Sequence, residues 1–133
     1  MPIEYELSEN GRRIDASPKG VLDADQTMDY FKRLEIDSSI KPNAIEIVDF
    51  SEVTDFKMSY LESQDITRSY QKLKTVQSIQ ATVFLCKSPV SFGISRMFQA
   101  LHEIANPKHK VFVVKTDAEL EEQLIKLQQD IQD

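Results

Sequence analysis

Three short apolar runs, Ala44 to Phe50, Ala81 to Leu85 and Val111 to Val114, alternate with stretches whose apolar residues recur at helical spacing. Nothing else in the chain constrains its fold as strongly. A short apolar run bounded by polar loops reads as a strand covered on both faces. Helices between such strands imply parallel neighbours joined by right-handed crossovers. The first two runs are therefore expected as central strands, and the third as a shorter parallel neighbour.

The chain before these runs reads differently. Ile3, Tyr5 and Leu7 alternate with polar residues, the pattern of a half-buried strand. Ser8-Glu9-Asn10-Gly11 carries a hairpin turn signal, and Arg12 to Ser17 is the returning strand. Ser17-Pro18-Lys19-Gly20 should put a bulge or bend before Val21-Leu22. The sheet is thus predicted to be mixed, with one antiparallel pair.

Four helices are expected around it. Asp23, with Gln26 three residues on, caps the first, which shows Met28, Phe31 and Leu34 on one side and ends near Asp37. Asp49 to Phe56 reads as a loop, and Lys57 to Val76 as one helix with Met58, Ile66, Tyr70, Leu73 and Val76 in its apolar stripe. Ser88 and Pro89 look like a cap and a first helical position, opening a helix with Ile94, Phe98, Leu101 and Ala105 on one side. Thr116 or Asp117 caps the last, with Leu120, Leu124, Leu127 and Ile131 on one face. The predicted order is β-β-α-β-α-β-α-β-α: an α/β fold with a single-layer mixed sheet of about five strands and about four helices. With 133 residues and no linker, it is expected to be one domain spanning 1–133.

Composition narrows the function classes. Cys86 stands alone, which excludes an internal disulfide and a cysteine zinc site and fits a reducing compartment. No apolar run approaches the roughly 20 residues of a membrane span. Met1-Pro2-Ile3-Glu4-Tyr5 lacks the basic start and apolar core of a signal peptide, so cytoplasm is expected. The net charge is −6, and residues 116–133 carry six acids against Lys126 alone. A chain without a basic stripe is a poor binder of nucleic acid or anionic membrane.

Element order and three stretches resemble the STAS domain, and more closely the SpoIIAA-like (STAS/SEC14-like) bacterial proteins. Gly20-Val21-Leu22-Asp23 is similar to the family's strand exit into its first helix. Ile47-Val48-Asp49-Phe50-Ser51-Glu52-Val53-Thr54 is similar to the strand and loop before its second helix. Phe92-Gly93-Ile94-Ser95-Arg96-Met97-Phe98 resembles a recurrent stretch of the SpoIIAA-like group. The resemblance implies the fold and a regulatory, protein-binding role. It also locates a departure. Anti-sigma factor antagonists carry Asp-Ser-Ser-Gly at the start of the second helix, with a phosphorylated serine. Lys57-Met58-Ser59-Tyr60 stands there instead, so the acceptor position falls on Met58 and the glycine is gone. Ser59, one step on, is the candidate phosphorylation site.

Open α/β sheets place ligands at the carboxyl ends of their strands. The candidate ligand- or anion-binding residues at that edge are Asp49, Ser51, Asp55, Ser59, Glu62, Ser88, Ser91 and Arg96. Ser59, Ser88 and Ser91 lie near helix starts, whose free N–H groups attract anions, although caps alone account for such serines more often. Asp49, Asp55 and Glu62 form the acidic group, but no metal motif matches their spacing, and Asp49 fits an Asx-type turn better. Glu62 falls inside an apolar stripe and must snorkel, pair or face a cavity. Arg96 either clamps an anion at its helix start or forms a surface ion pair with Glu103 or another acid. His102 is placed on the polar side of its helix, and Cys86 reads as buried filler. Phe50, Phe56, Phe92 and Phe98 form either core or the lining of an apolar pocket.

Catalytic signatures are missing: there is no Gly-x-Ser-x-Gly elbow, no glycine-rich phosphate loop and no metal-ligand spacing, so no cofactor is expected. The favoured reading is a non-enzymatic regulatory or protein-interaction module, which binds another protein or itself as a homodimer. The alternative is a carrier of a small apolar or anionic, lipid-like ligand.

Overall fold

The computed structural model describes residues 3–132, with side chains as far as residue 129. Its elements are β1 (Glu4–Ser8), β2 (Arg13–Ser17), β3 (Gly20–Asp23), α1 (Ala24–Ile36), β4 (Ile45–Asp49), β5 (Val53–Lys57), α2 (Tyr60–Gln71), α3 (Lys74–Gln77), β6 (Ala81–Leu85), α4 (Pro89–Ala105), β7 (Lys110–Val114) and α5 (Asp117–Gln132). The main sheet has strand order β1-β2-β4-β6-β7. β1 and β2 are antiparallel, and every other neighbour pair is parallel. The mixed sheet and the α/β class are as the sequence implies.

The hairpin loop spans residues 9–12 between the paired Ser8 and Arg13, longer than a two-residue Asn-Gly turn. Glu9, Asn10 and Gly11 form a single 3-10 turn, all at positive φ (54°, 59° and 84°). Only the glycine has no alternative. A Cβ there would stand 1.9 Å from the Ser39 carbonyl oxygen, and the Gly11 carbonyl accepts from Lys41 N at 2.9 Å. The turn is thereby locked against the loop that follows α1.

Two local expectations are corrected. Gly20–Asp23 and Val53–Lys57, read as the end of a bend and part of a loop, pair in parallel as a separate two-stranded ribbon. Pro18 interrupts the ladder after β2, and Leu22 and Val53 then bury themselves while most of their neighbours stay exposed or half-buried. The helix expected over 57–76 is two helices. Lys57 belongs to β5, Ser59 caps α2, and extended backbone at Leu73 (ψ 134°) separates α2 from the single turn of α3. Among the described residues there are therefore five α-helices, one more than expected, and two more strands than expected.

The sheet separates two cores. Alternation along β4 sends Ile45 and Ile47 to one face, and Glu46 and Val48 to the other. Ile45, Ile47, Ala81, Val83, Leu85 and Val114 pack against Leu120, Leu124 and Leu127 of α5. Ile131, expected on that same helix face, lies outside the described side chains. The opposite face gathers Ile14, Val48, Phe84 and Val111 beneath Tyr30, Phe31 and Leu34 of α1, Ile66 and Tyr70 of α2, and Ile94, Phe98 and Leu101 of α4. Ala105 is exposed, and the buried stripe of α4 runs instead through Ser91, Ser95 and His102. Of the two candidate caps for α5, Thr116 serves: its Oγ1 accepts from Glu119 N at 3.1 Å.

Candidate functional site

β4 is covered on both faces, so it has no solvent side, and its one charged interior residue has nowhere to go but inward. Glu46 is 1% exposed and faces the three-helix core. Its register neighbour on β6 is Thr82. Tyr30 of α1 donates its hydroxyl to Oε2 at 2.5 Å. Tyr70 of α2 donates to Oε1, and Thr82 donates to the same oxygen at 3.0 Å. Three elements thus supply hydroxyl donors to one carboxyl, without which its burial would cost several kcal/mol, on the order of the penalty for an isolated buried ion.

The network extends through two histidines. Thr82 Oγ1 lies 2.9 Å from His109 Nε2. The single hydroxyl proton of Thr82 goes to Glu46, so His109 Nε2 carries the proton and donates. Asn106 donates to Gln71 Oε1 at 3.1 Å, which turns the Gln71 amide nitrogen toward His102 Nδ1, 3.0 Å away. His102 therefore accepts at Nδ1. The two imidazoles stack with centroids 5.7 Å apart, and the Tyr70 ring stands edge-on to both.

Burial decides the protonation of this cluster. It pulls His102 down to about 3, helped by the neighbouring His109, and pulls His109 down to about 4. Burial pushes the Glu46 carboxyl above its usual range, and the hydroxyls of Tyr30, Tyr70 and Thr82 offset only part of that. Tyr30 and Tyr70 are raised well above an ordinary phenol, first by burial and then by the charge of Glu46.

A cavity of about 60 Å³ adjoins Glu46 and is partly open to the surface. Tyr30, Phe31, Phe50, Tyr70, Phe84 and Phe98 contribute aromatic wall. A buried carboxyl and an aromatic-lined cavity lie side by side. The arrangement can hold one negative charge, or one proton, at the floor of an aromatic cavity. Sequence reasoning missed it. Glu46 sits inside an apolar run that hides it, and His102, expected on the polar side of α4, lies on the buried side. His102 follows Phe98 by four residues, so it shares the buried stripe and is 6% exposed rather than solvated.

The residues singled out from sequence lie elsewhere and do not converge. Asp49 ends β4 and makes the expected Asx turn, accepting from Ser51 N at 2.9 Å, while Ser51 Oγ is buried without a partner. Asp55 is exposed on β5, 4.0 Å from Lys57. Ser59 and Glu62 form a reciprocal capping box at the start of α2, at 3.1 and 2.9 Å. Glu62 is consequently exposed, which corrects its placement in the apolar stripe; Ser63 takes the inward position. Ser88 and Ser91 make a second capping box at the start of α4, at 3.1 and 3.0 Å. Each box occupies helix-start N–H groups that an anion would need. Arg96 is exposed and donates to Gln99 Oε1 at 2.9 Å; among the described residues it pairs with no acid, Glu103 included. Cys86 is buried as expected, its thiol pushed up by burial. Among the described residues no cluster of three or more potential ligands could hold a metal ion. No described helix is long and apolar enough to cross a membrane.

No protein-family model matches the sequence, and no curated protein matches it. Solved structures do match. The anti-sigma factor antagonist SpoIIAA, in its unphosphorylated form, aligns with a TM-score of 0.55 at 10% identity, over 93% of this chain and 97% of that one. An uncharacterised DUF3478-family protein with a SpoIIAA-like fold, from Shewanella loihica, aligns with a TM-score of 0.54 at 12% identity, over 92% and 91%. The chain has the SpoIIAA-like, STAS-type fold that its element order implies.

Proposed function

We propose that this chain is a non-enzymatic regulatory or protein-interaction module of STAS type, which engages a partner protein through the exposed start of α2. The observation that carries this reading is the first turn of that helix. Tyr60 is 56% exposed and Leu61 is 70% exposed, directly after the capping serine Ser59. Large apolar side chains with no packing role at a helix start suit an interface, where aromatic and aliphatic anchors provide most of the binding energy. One of the solved structures that this fold resembles is an anti-sigma factor antagonist, a role exercised on another protein.

Ser59 is the candidate switch within that surface. A phosphate on its exposed hydroxyl would sit at the positive end of α2, which favours it. It would also meet the Glu62 carboxylate that now closes the capping box, and would expel it. Modification would thus remodel the same turn that presents Tyr60 and Leu61. The lone buried thiol and the lack of a described spanning helix suit a cytoplasmic setting. A homodimer through this surface is the simplest alternative partner.

Native mass spectrometry of the protein purified from its host tests the reading. A second polypeptide, or a second copy of the chain, bound to wild type and released by the Leu61→Ser substitution supports it. A strictly monomeric protein, or an assembly indifferent to substitution of both Tyr60 and Leu61 by serine, contradicts it.

A further inference from the structure

We propose that the cavity beside Glu46 binds a small amine with an apolar body, its ammonium group paired with the Glu46 carboxylate and its carbon chain against the aromatic wall. Among the described residues Glu46 is the only acid lining the cavity, and no lysine or arginine pairs with it. Its partners are neutral hydroxyls: Tyr70 and Thr82 on Oε1, and Tyr30 alone on Oε2. A carboxylate has about four acceptor positions, so Oε2 retains one unfilled. His102, which also lines the cavity, is held neutral by burial and adds no competing positive charge.

The wall selects the same chemistry. Aromatic faces attract cations through their quadrupoles, most strongly where water is excluded. Six aromatic rings line the cavity, and Phe31–Tyr70 and Phe50–Phe84 lie with centroids 5.1 Å apart. An anionic ligand would meet Glu46 with like charge. A neutral alkane would leave that carboxyl as uncompensated as before. A cation with a short carbon chain satisfies both the charge and the wall. Size points the same way: an apolar cavity of about 150 Å³ holds benzene. At about 60 Å³ this one admits an ammonium head and one or two carbons, the rest of a chain lying in its mouth.

The test uses three probes of equal length at pH 8: n-butylamine, n-butanol and butyrate. Binding is followed by NMR shifts of the Phe84 and Phe98 ring protons in wild type and in Glu46→Gln. Glutamine keeps the shape; its amide oxygen can accept from Tyr70 and Thr82, its amide nitrogen can donate to the Tyr30 oxygen, and preserved amide dispersion checks that the variant is folded. The expected result is saturable butylamine binding to wild type, at least tenfold weaker in Glu46→Gln, with butanol at least tenfold weaker than butylamine and butyrate without effect. Equal binding of butanol and butylamine overturns the proposal, in favour of an unselective apolar cavity. So does full retention of butylamine affinity in Glu46→Gln, or the absence of any ring-proton shift with butylamine at millimolar concentration. None of these outcomes depends on the partner surface at α2.

Discussion

Tyr70→Phe removes one oxygen from the most crowded polar point of the core and leaves its packing in place. The ring remains 5.1 Å from both Phe31 and His102. What disappears is a hydroxyl that donates to Glu46 and stands 3.1 Å from Thr82. A hydrogen bond to a charged acceptor contributes about 1.5–3 kcal/mol, against about 1 kcal/mol between neutral groups. The expected loss is therefore about 2.5 kcal/mol in wild type. Unfolding entropy near 2.1 cal/mol/K per residue, over 133 residues, turns this into a fall in Tm of about 9 °C. In a Glu46→Gln background the same substitution removes a neutral bond and should lower Tm by only about 3–4 °C. The coupling between positions 46 and 70 is then about 1.5 kcal/mol, well above the few tenths that independent sites show. Thermal and urea unfolding of the four proteins at pH 7.5, followed by circular dichroism, measures it. A Tyr70→Phe loss below about 0.5 kcal/mol, or equal losses in the two backgrounds, would refute the reasoning that a buried carboxylate organises this core.

The two histidines predict acid sensitivity. Both are held neutral when folded, at about 3 and about 4, and take up protons near 6.5 when unfolded, so stability is lost as pH falls below 6.5. Between pH 7 and pH 5 this is roughly 2 kcal/mol per histidine. Glu46, raised when folded, changes stability in the opposite direction, so urea midpoints of wild type should fall less over this range than those of Glu46→Gln. Parallel curves for the two proteins would contradict this. Gly11→Ala should cost about 3 kcal/mol or more, since it combines positive φ with a clash against the Ser39 carbonyl; a urea midpoint near wild type would show that the hairpin turn is not locked there. Ser88→Ala should cost about 1–2 kcal/mol by urea unfolding, because it removes the cap of α4 and leaves the Ser91 N–H without its acceptor, while the Ser91 hydroxyl keeps its bonds to the backbone of residue 88. Ser59→Ala, on the exposed turn of α2, should cost about 1 kcal/mol by the same measurement.

The large elements were legible because burial imposes period. β4 and β6, covered on both faces, show it as short apolar runs interrupted inside by Glu46 and Thr82 alone, and Asp23, Ser88 and Thr116 mark helix starts by capping chemistry. The β3–β5 ribbon was not legible. Val53-Thr54-Asp55-Phe56-Lys57 has the composition of a loop, and only its partner across the chain makes it a strand. The split between α2 and α3 was hidden for a related reason, since Leu73 and Val76 continue a helical spacing across an extended residue. The candidate site was half legible. A strand read as central has no solvent side, so a glutamate at position 46 had to be buried, and buried carboxyls need donors. Which donors could not be read, because Tyr30, Tyr70, Thr82 and His109 are brought together only by the crossing of α1, α2, β6 and the loop before β7. The serines chosen from sequence were real helix starts, but their own side chains fill the positions that a ligand would take.

The carboxyl of Glu46 can be observed directly. Its 13C side-chain shift, followed through a pH titration of the folded protein, should show a midpoint clearly above 4.5, the ordinary value for a glutamate, with the ring signals of Tyr30 and Tyr70 moving in step. A midpoint at or below that value, with tyrosine signals indifferent to it, would contradict a lone buried carboxyl held by phenols at the floor of this cavity.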